Sequence, residues 1–125
     1  MILDTCALLW LAHEQERLSP RVLRMLEEAR AVYLSSITGF EIALKCRSGK
    51  LVLPIPASQW LHDIIAHHRI SMLVVDMDIC IRAAELPPIH RDPCDRFIIA
   101  TALVHRLPVV TADQRFAQYG VEVLL

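Results

Sequence analysis

Short apolar runs alternate along this chain with longer stretches in which apolar residues recur every three or four positions. The short runs predict β-strands, and the longer stretches predict helices. The predicted strands cover residues 1–3, 31–34, 72–75, 108–111 and 121–124, and the predicted helices cover 6–12, 20–30, 38–47, 58–68, 79–86, 93–105 and 114–118. This alternation predicts an α/β fold with a central twisted parallel sheet of four to five short strands, flanked by helices on both faces.

Three local signals predict where helices begin and end. Ser19-Pro20 and Asp92-Pro93 each place a side chain that can cap a helix directly before a proline at the first helical position. Gly49 predicts the end of the helix that precedes it. These signals locate the helix ends relative to the strand ends, where ligands of parallel sheets bind.

Length and composition limit the class of protein. The chain has 125 residues, of which 54% are hydrophobic, and this length predicts a single domain over residues 1–125. The 13 basic and 14 acidic residues give a net charge of −1, which excludes a broadly basic surface, so any RNA contact needs a local basic patch. The chain has three glycines and neither a G-x-G-x-x-G motif nor a P-loop, which argues against a nucleotide-binding fold.

Cysteine spacing and hydropathy bear on the compartment. The four cysteines are scattered and form no C-x-x-C pair. The amino terminus lacks the basic segment of a signal peptide, and no apolar run approaches the ~20 residues that span a bilayer. We therefore expect reduced thiols in a cytoplasmic protein that has no membrane segment.

Four acidic residues are predicted to meet at one edge of the sheet. Asp4 ends the first strand and Asp113 follows the fourth, whereas Glu41 and Asp95 lie in the first turns of helices. Converging carboxylates repel one another and need a cation, and Mg²⁺ and Mn²⁺ prefer such oxygen ligands. We hypothesise that Asp4, Asp95 and Asp113 hold one ion for phosphodiester cleavage. Glu41 would then position a second ion or the attacking water.

Each of these acids also has a purely structural interpretation. Glu41 follows Thr38 by three positions, which is the spacing of a capping box. Asp92 is interpreted first as a helix cap, with an outer-shell role at the metal held in reserve. Asp4 and Asp113 could likewise be caps or turn residues. The set is therefore more informative than any one member.

An ordered set of segments resembles the PIN-domain toxins of the VapC type, and this resemblance covers nearly the whole chain. The segments are I-L-D-T at 2–5, L-L-W at 8–10, E-I-A-L-K at 41–45, G-K-L at 49–51, H-R-D-P-C-D-R at 90–96, I-A-T-A at 99–102 and V-T-A-D at 110–113. The resemblance implies a PIN-like α/β fold and an endoribonuclease that depends on Mg²⁺ or Mn²⁺. It also implies a prokaryotic type II toxin that forms a homodimer and is inhibited by a VapB-like antitoxin inserted into the acidic groove.

The resemblance also assigns residues. The acidic positions of the family fall on Asp4, Glu41, Asp95 and Asp113. Thr111 matches the small hydroxyl residue two positions before the last acid and is a candidate for substrate binding. Cys94 departs from the family pattern, which has an aromatic residue such as Phe there. This departure concerns packing beside the site and leaves the four acids intact.

Basic residues flank the proposed acids. Arg91, Arg96 and Lys45 are candidates to bind RNA phosphates. Lys45 lies four positions after Glu41, however, and the two could form an ordinary surface ion pair. His90 and Cys94 are too loosely spaced, and lack a second pair, to predict a zinc site.

Two other functions are considered. Asp76 and Asp78 form a D-x-D sequence after an apolar run, as in phosphatases of the haloacid dehalogenase type, but under half the chain remains for the other parts of such an enzyme. The other is a non-catalytic PIN-like binding module in which the acids only orient a partner. Failure to bind a divalent metal would favour that module.

Overall fold

Five short parallel strands form the centre of the computed structural model, which describes all 125 residues. The strands are β1 (Ile2–Leu3), β2 (Val32–Ser35), β3 (Ile70–Leu73), β4 (Val109–Val110) and β5 (Val123–Leu124), and they lie in the order β3-β2-β1-β4-β5. The helices are α1 (Thr5–His13), α2 (Pro20–Glu28), α3 (Ile37–Arg47), α4 (Ala57–His67), α5 (Met77–Glu85) and α6 (Pro93–His105), with 3-10 helices at Gln15–Arg17 and Gln114–Tyr119. The predicted α/β fold with a parallel sheet is confirmed.

Helices cover both faces of the sheet, as the sequence predicted. Successive side chains on a strand point to opposite faces. Leu3, Leu34 and Val110 pack with α1 to α4 on one face. Ile2 and Val109 pack with α6 and the second 3-10 helix on the other face. Strands β1, β4 and β5 therefore have apolar residues at every position, because helices cover both of their faces.

The central strand β1 determines where the first acidic residue lies. Ile2 and Leu3 are fully buried, and β1 pairs with β2 on one side and with β4 on the other. The backbone N–H of Asp4 continues the ladder by donating to the carbonyl of Val110 at 3.1 Å. Asp4 is therefore held at the carboxyl edge of the sheet, next to the residues that follow β4.

The predicted helix caps agree with the structure better than the strand bounds do. Ser19 accepts a hydrogen bond from the N–H of Val22 at 3.1 Å, and Asp92 accepts one from Cys94 at 2.9 Å. Strand β3 begins at Ile70, two residues earlier than predicted, because its register with β2 starts there. Asp76 then caps α5, so the apolar residues just before it form a connection rather than strand.

The connection between α5 and α6 is held by Arg96. All five guanidinium N–H groups donate to backbone carbonyls at 2.7–3.3 Å, those of Ala83, Ala84, Leu86, Pro87 and His90. Carbonyls at a helix end lack partners within the helix, and the prolines in this connection cannot donate to them. This geometry corrects the prediction that Arg96 binds RNA phosphates, because it leaves no free donor.

Two general features complete the fold. All four cysteines are free thiols. No helix combines the length and apolar character that crossing a membrane requires.

Replacing Arg96 with lysine should weaken the fold. Lysine keeps the charge but offers one nitrogen where arginine offers a planar fork, so most of the carbonyls lose their partner. We expect Arg96→Lys to lower the free energy of unfolding by about 2–3 kcal/mol in urea denaturation. Arg91→Lys is the matched control because Arg91 is exposed in the same connection, and it should change stability by less than about 0.5 kcal/mol. Equal stability of the two variants would contradict this role for Arg96.

Candidate metal centre

Asp4 is a buried carboxylate at the end of the central strand. Only 8% of the residue is exposed, and its Oδ1 accepts a hydrogen bond from the N–H of Ala7 at 2.7 Å, which caps α1. Burial raises the pKa of Asp4, the nearby Thr111 hydroxyl opposes this shift, and the charges of Glu41 and Asp113 add to it. Asp4 is therefore both a helix cap and a carboxylate that lies among other negative charges.

Glu41 lies in the second turn of α3 and does not cap it. The helix begins at Ile37, and the Thr38 hydroxyl is buried 3.2 Å from the hydroxyl of Thr5, so the capping-box interpretation is wrong. Lys45 lies 3.6 Å from Oε2 of Glu41, as the i,i+4 spacing suggested. The other oxygen, Oε1, is buried without any hydrogen-bond partner. A buried carboxylate oxygen is costly unless a cation or donor satisfies it.

Asp95 lies in the first turn of α6 and faces several of the other charges. Burial first, and then the charges of Asp92 and Glu41, raise the pKa of Asp95 to about 6, while His90 opposes the shift. Asp92 itself is exposed and caps α6. The structure therefore places Asp92 as a cap whose charge acts on Asp95.

Asp113 is held by more partners than the other acids. Its carboxylate caps the second 3-10 helix and accepts a two-pronged contact from Arg115, with Nε–Oδ1 at 3.0 Å and Nη2–Oδ2 at 2.7 Å. His90 Nε2 lies 2.8 Å from Oδ2. The Arg115 hydrogen bonds, more than any other contact, hold the pKa of Asp113 below its usual range.

Thr111 supports Asp113 from within the protein. Thr111 is fully buried, and its hydroxyl accepts a hydrogen bond from the backbone N–H of Asp113 at 3.0 Å. A buried side chain cannot contact RNA, so the assignment of Thr111 to substrate binding is corrected to a structural role beside the site.

His90, Tyr119 and Arg115 are residues of this site that the sequence analysis missed. His90, Asp95 and Asp113 each offer one ligand atom, and these atoms lie within 4.8 Å of one another. The sequence analysis considered His90 only with Cys94, whereas its actual partners are Asp113 and Tyr119. The partners lie 23 and 29 residues away, and no local pattern indicates contacts of that range.

The donors present fit a hard divalent cation. The four carboxylates lie close enough to influence one another. The charges of Glu41 and Asp113 raise the pKa of Asp4, and those of Glu41 and Asp4 raise the pKa of Asp95. Carboxylate oxygens suit Mg²⁺ or Mn²⁺, and a cation would satisfy the buried Oε1 of Glu41, which has no hydrogen-bond partner. Asp76 and Asp78 take no part, because Asp76 caps α5 and Asp78 lies in its exposed first turn.

The chain matches the family model of the PIN domain over residues 1–122 and therefore belongs to that family. Ribonuclease VapC22 of Mycobacterium tuberculosis is 30% identical over 120 residues, which cover 95% of this chain and 91% of that protein. FitAcB from Neisseria gonorrhoeae is similar in structure, with 27% identity, a TM-score of 0.64 and coverage of 99% of this chain and 96% of that one. VapBC2 from Rickettsia felis, solved with a fragment of promoter DNA, shares the fold with a TM-score of 0.71 at 15% identity over 98% of this chain and 95% of that one. The resemblance to VapC-type PIN-domain proteins is confirmed.

The raised pKa of Asp95 leads to a pH-dependent prediction for the metal-free protein. Between about pH 4 and about pH 6 the folded state keeps a proton that the unfolded state has lost, so Asp95 lowers stability as pH rises through this range. Asparagine cannot ionise and removes this cost. In EDTA, Asp95→Asn should therefore be more stable than the unchanged protein at about pH 7, by about 1 kcal/mol given the partial exposure of Asp95, and equally stable at about pH 4.

Urea denaturation at the two pH values measures this difference. Asp63→Asn is the matched control, since Asp63 is exposed on α4. A loss of stability in Asp95→Asn that is the same at both pH values would contradict the electrostatic explanation.

Proposed function

We propose that this chain is an endoribonuclease that depends on Mg²⁺ or Mn²⁺ and cleaves RNA phosphodiester bonds. The observation that carries the proposal is the convergence of four carboxylates, one of which has a buried oxygen without a partner. Membership of the PIN domain family and the similarity to a protein named as a ribonuclease support it.

The acidic residues have distinct roles in this proposal. Asp4, Asp95 and Asp113 hold the cation, and Glu41 orients the attacking water or a second cation. When bound, such an ion supplies a Lewis acid that activates water and offsets negative charge on the phosphodiester. Arg91 and Lys45 contribute local positive charge for RNA phosphates, since the net charge of −1 gives no general attraction.

We further propose that the protein is the toxin of a type II toxin–antitoxin pair and acts in the cytoplasm. A groove along α1 is lined by Cys6, Leu9, Trp10 and residues 51–54, among others, and Val52 there is 88% exposed. An apolar antitoxin segment could bind this groove and reach the acids. The similarity to VapC22 and to the fold of VapBC2 supports this assignment of a VapB-like partner.

A second apolar surface supports the proposed homodimer. It consists of large hydrophobic side chains that are exposed at and after the edge strand β3, on α5 and near the end of α6, namely Met72, Val74, Met77, Ile81 and Val104. Extended exposed apolar surfaces of this kind mark protein–protein contacts. This surface consists of other residues than the groove along α1, so a dimer and an antitoxin could bind together.

Removing one carboxylate should abolish cleavage without unfolding the protein. In Asp4→Asn the amide oxygen still caps α1, but the charge that attracts the cation is lost. We expect RNA cleavage in Mn²⁺ or Mg²⁺ to fall by roughly 100-fold or more, with an unchanged circular dichroism spectrum. Asp63→Asn should retain activity. Full activity in Asp4→Asn, or equal cleavage by the unchanged protein in EDTA, would overturn the proposal.

A variant of Arg115 can distinguish the proposed nuclease from the non-catalytic binding module. The Arg115 guanidinium already neutralises Asp113 without a metal. In the nuclease, the cation competes with Arg115, which then becomes available for RNA. Arg115→Gln should bind Mn²⁺ roughly twofold to fivefold more tightly in calorimetry and show a higher KM for RNA. Arg21→Gln, an exposed change on α2, should alter neither quantity. Absence of Mn²⁺ binding in both the unchanged protein and Arg115→Gln would favour the binding module.

A further inference from the structure

His90 is a buried ring in an exposed connection, and all of its polar groups have partners. The residue is 4% exposed although its neighbour Arg91 is exposed. The backbone N–H of His90 donates to the Tyr119 hydroxyl at 2.7 Å, and its Nδ1 lies 2.8 Å from the same oxygen. Its Nε2 lies 2.8 Å from Oδ2 of Asp113. The ring therefore bridges Tyr119 and a proposed metal ligand.

These contacts determine where the proton of the neutral ring lies. The Tyr119 oxygen accepts from the backbone N–H, and its own hydroxyl proton is free to donate to Nδ1. Nε2 must then carry the ring proton and donate to Asp113. The opposite tautomer would set the lone pair of Nε2 against a carboxylate oxygen at 2.8 Å. The Tyr119 hydroxyl and the Asp113 carboxylate thus together make His90 a donor towards Asp113.

Packing prevents the ring from turning away. Phe116 contacts it edge to face with centroids 5.2 Å apart, and the Tyr119 ring lies at 5.4 Å. Arg96 donates to the His90 carbonyl at 3.3 Å and so holds the backbone. Arg115, by contrast, is 58% exposed at its side chain, so it can leave Asp113 while His90 remains.

We propose that Tyr119 and His90 form a positioning pair that holds the Asp113 carboxylate ready for the cation. His90 takes one lone-pair direction of Oδ2 and fixes the rotation of the carboxylate, while the backbone N–H of Arg115 still donates to Oδ1 at 3.0 Å. One further direction on each oxygen becomes available once the Arg115 guanidinium leaves. His90 acts through Asp113 and does not itself bind the metal. The inference rests on the proposed function, because it takes Asp113 as a metal ligand.

The first test is spectroscopic and needs neither metal nor RNA. Two-bond ¹H–¹⁵N correlation spectra distinguish protonation at Nε2 from protonation at Nδ1, and comparison with His90→Gln assigns the signal among the six histidines. We expect Nε2–H in the unchanged protein and in Tyr33→Phe, which removes the only other tyrosine hydroxyl. Tyr119→Phe should lower the share of Nε2–H relative to Tyr33→Phe, although Asp113 still disfavours the opposite tautomer. Nδ1–H in the unchanged protein would overturn the proposal.

The second test measures Mn²⁺ affinity by calorimetry. Tyr119→Phe should weaken Mn²⁺ binding by about tenfold, the size expected when the support of a metal ligand is lost. His90→Asn should weaken it at least as much, because the asparagine amide reaches only the position of Nδ1. His90→Gln should recover part of the affinity because its amide can reach the position of Nε2. If all three variants bind Mn²⁺ as tightly as the unchanged protein, the proposal that Tyr119 and His90 position Asp113 is overturned.

Kinetics separate this inference from the proposed function. In Tyr119→Phe, kcat should fall at low Mn²⁺ and recover at saturating Mn²⁺, whereas KM for RNA stays unchanged. A loss of kcat that saturating Mn²⁺ does not restore would indicate a general structural defect and contradict the positioning role.

If the unchanged protein cuts no RNA while the tautomer and Mn²⁺ results hold, the nuclease proposal fails and the positioning of Asp113 stands. Loss of the Nε2–H signal on addition of the diamagnetic ion Mg²⁺ would make His90 a ligand and overturn the inference.

Discussion

The burial of neighbouring carboxylates at the carboxyl edge of the sheet is the constraint on which the rest of the structure depends. Because β1 is central and parallel to its neighbours, Asp4 is held buried beside the residues that follow β4. Burial first, and then the neighbouring negative charges, raise the pKa of Asp4 and of Asp95. Lys45, Arg115 and helix N-termini compensate part of this charge. The partnerless oxygen of Glu41 indicates that the compensation is incomplete without a cation.

Structural and chemical roles coincide in the same carboxylates. Asp4 caps α1 and Asp113 caps the second 3-10 helix, yet both also belong to the acidic cluster. A helix N-terminus offers unpaired N–H groups and a partial positive charge, so it is a favourable place for a carboxylate. Capping holds one oxygen of each carboxylate in place. The two interpretations that the sequence left open for these residues are therefore not exclusive.

Two arginines near the site use the same guanidinium chemistry for different purposes. Arg96 has every donor on a backbone carbonyl, so it fixes the connection that carries His90. Arg115 is exposed and pairs with a carboxylate, a contact that water and salt weaken. The first is a permanent part of the fold, whereas the second can exchange with a cation. Burial, not residue type, decides between these roles.

The sequence by itself determined the elements and the acids. Apolar runs that are buried on both faces predicted parallel strands, the pairs Ser19-Pro20 and Asp92-Pro93 predicted helix starts, and Asp4 and Asp113 were expected at strand ends. These features follow from local periodicity, local capping and the general topology of parallel sheets, so one sequence is sufficient to predict them. Strand β3 was predicted to begin two residues late, because apolar character alone does not determine how a strand pairs with its neighbour.

Only the tertiary structure decided how the acids are supported. The contacts of His90 with Asp113 and Tyr119 join residues 23 and 29 positions apart, and they depend on how an irregular connection folds back onto the sheet. Arg96 could be assigned to the α5–α6 connection only once the unpaired carbonyls around it were located in space. Sequence patterns report the periodicity of helices and strands, but hydrogen-bond partners across loops follow no period. The acidic residues were therefore predictable, and the side chains that position them were not.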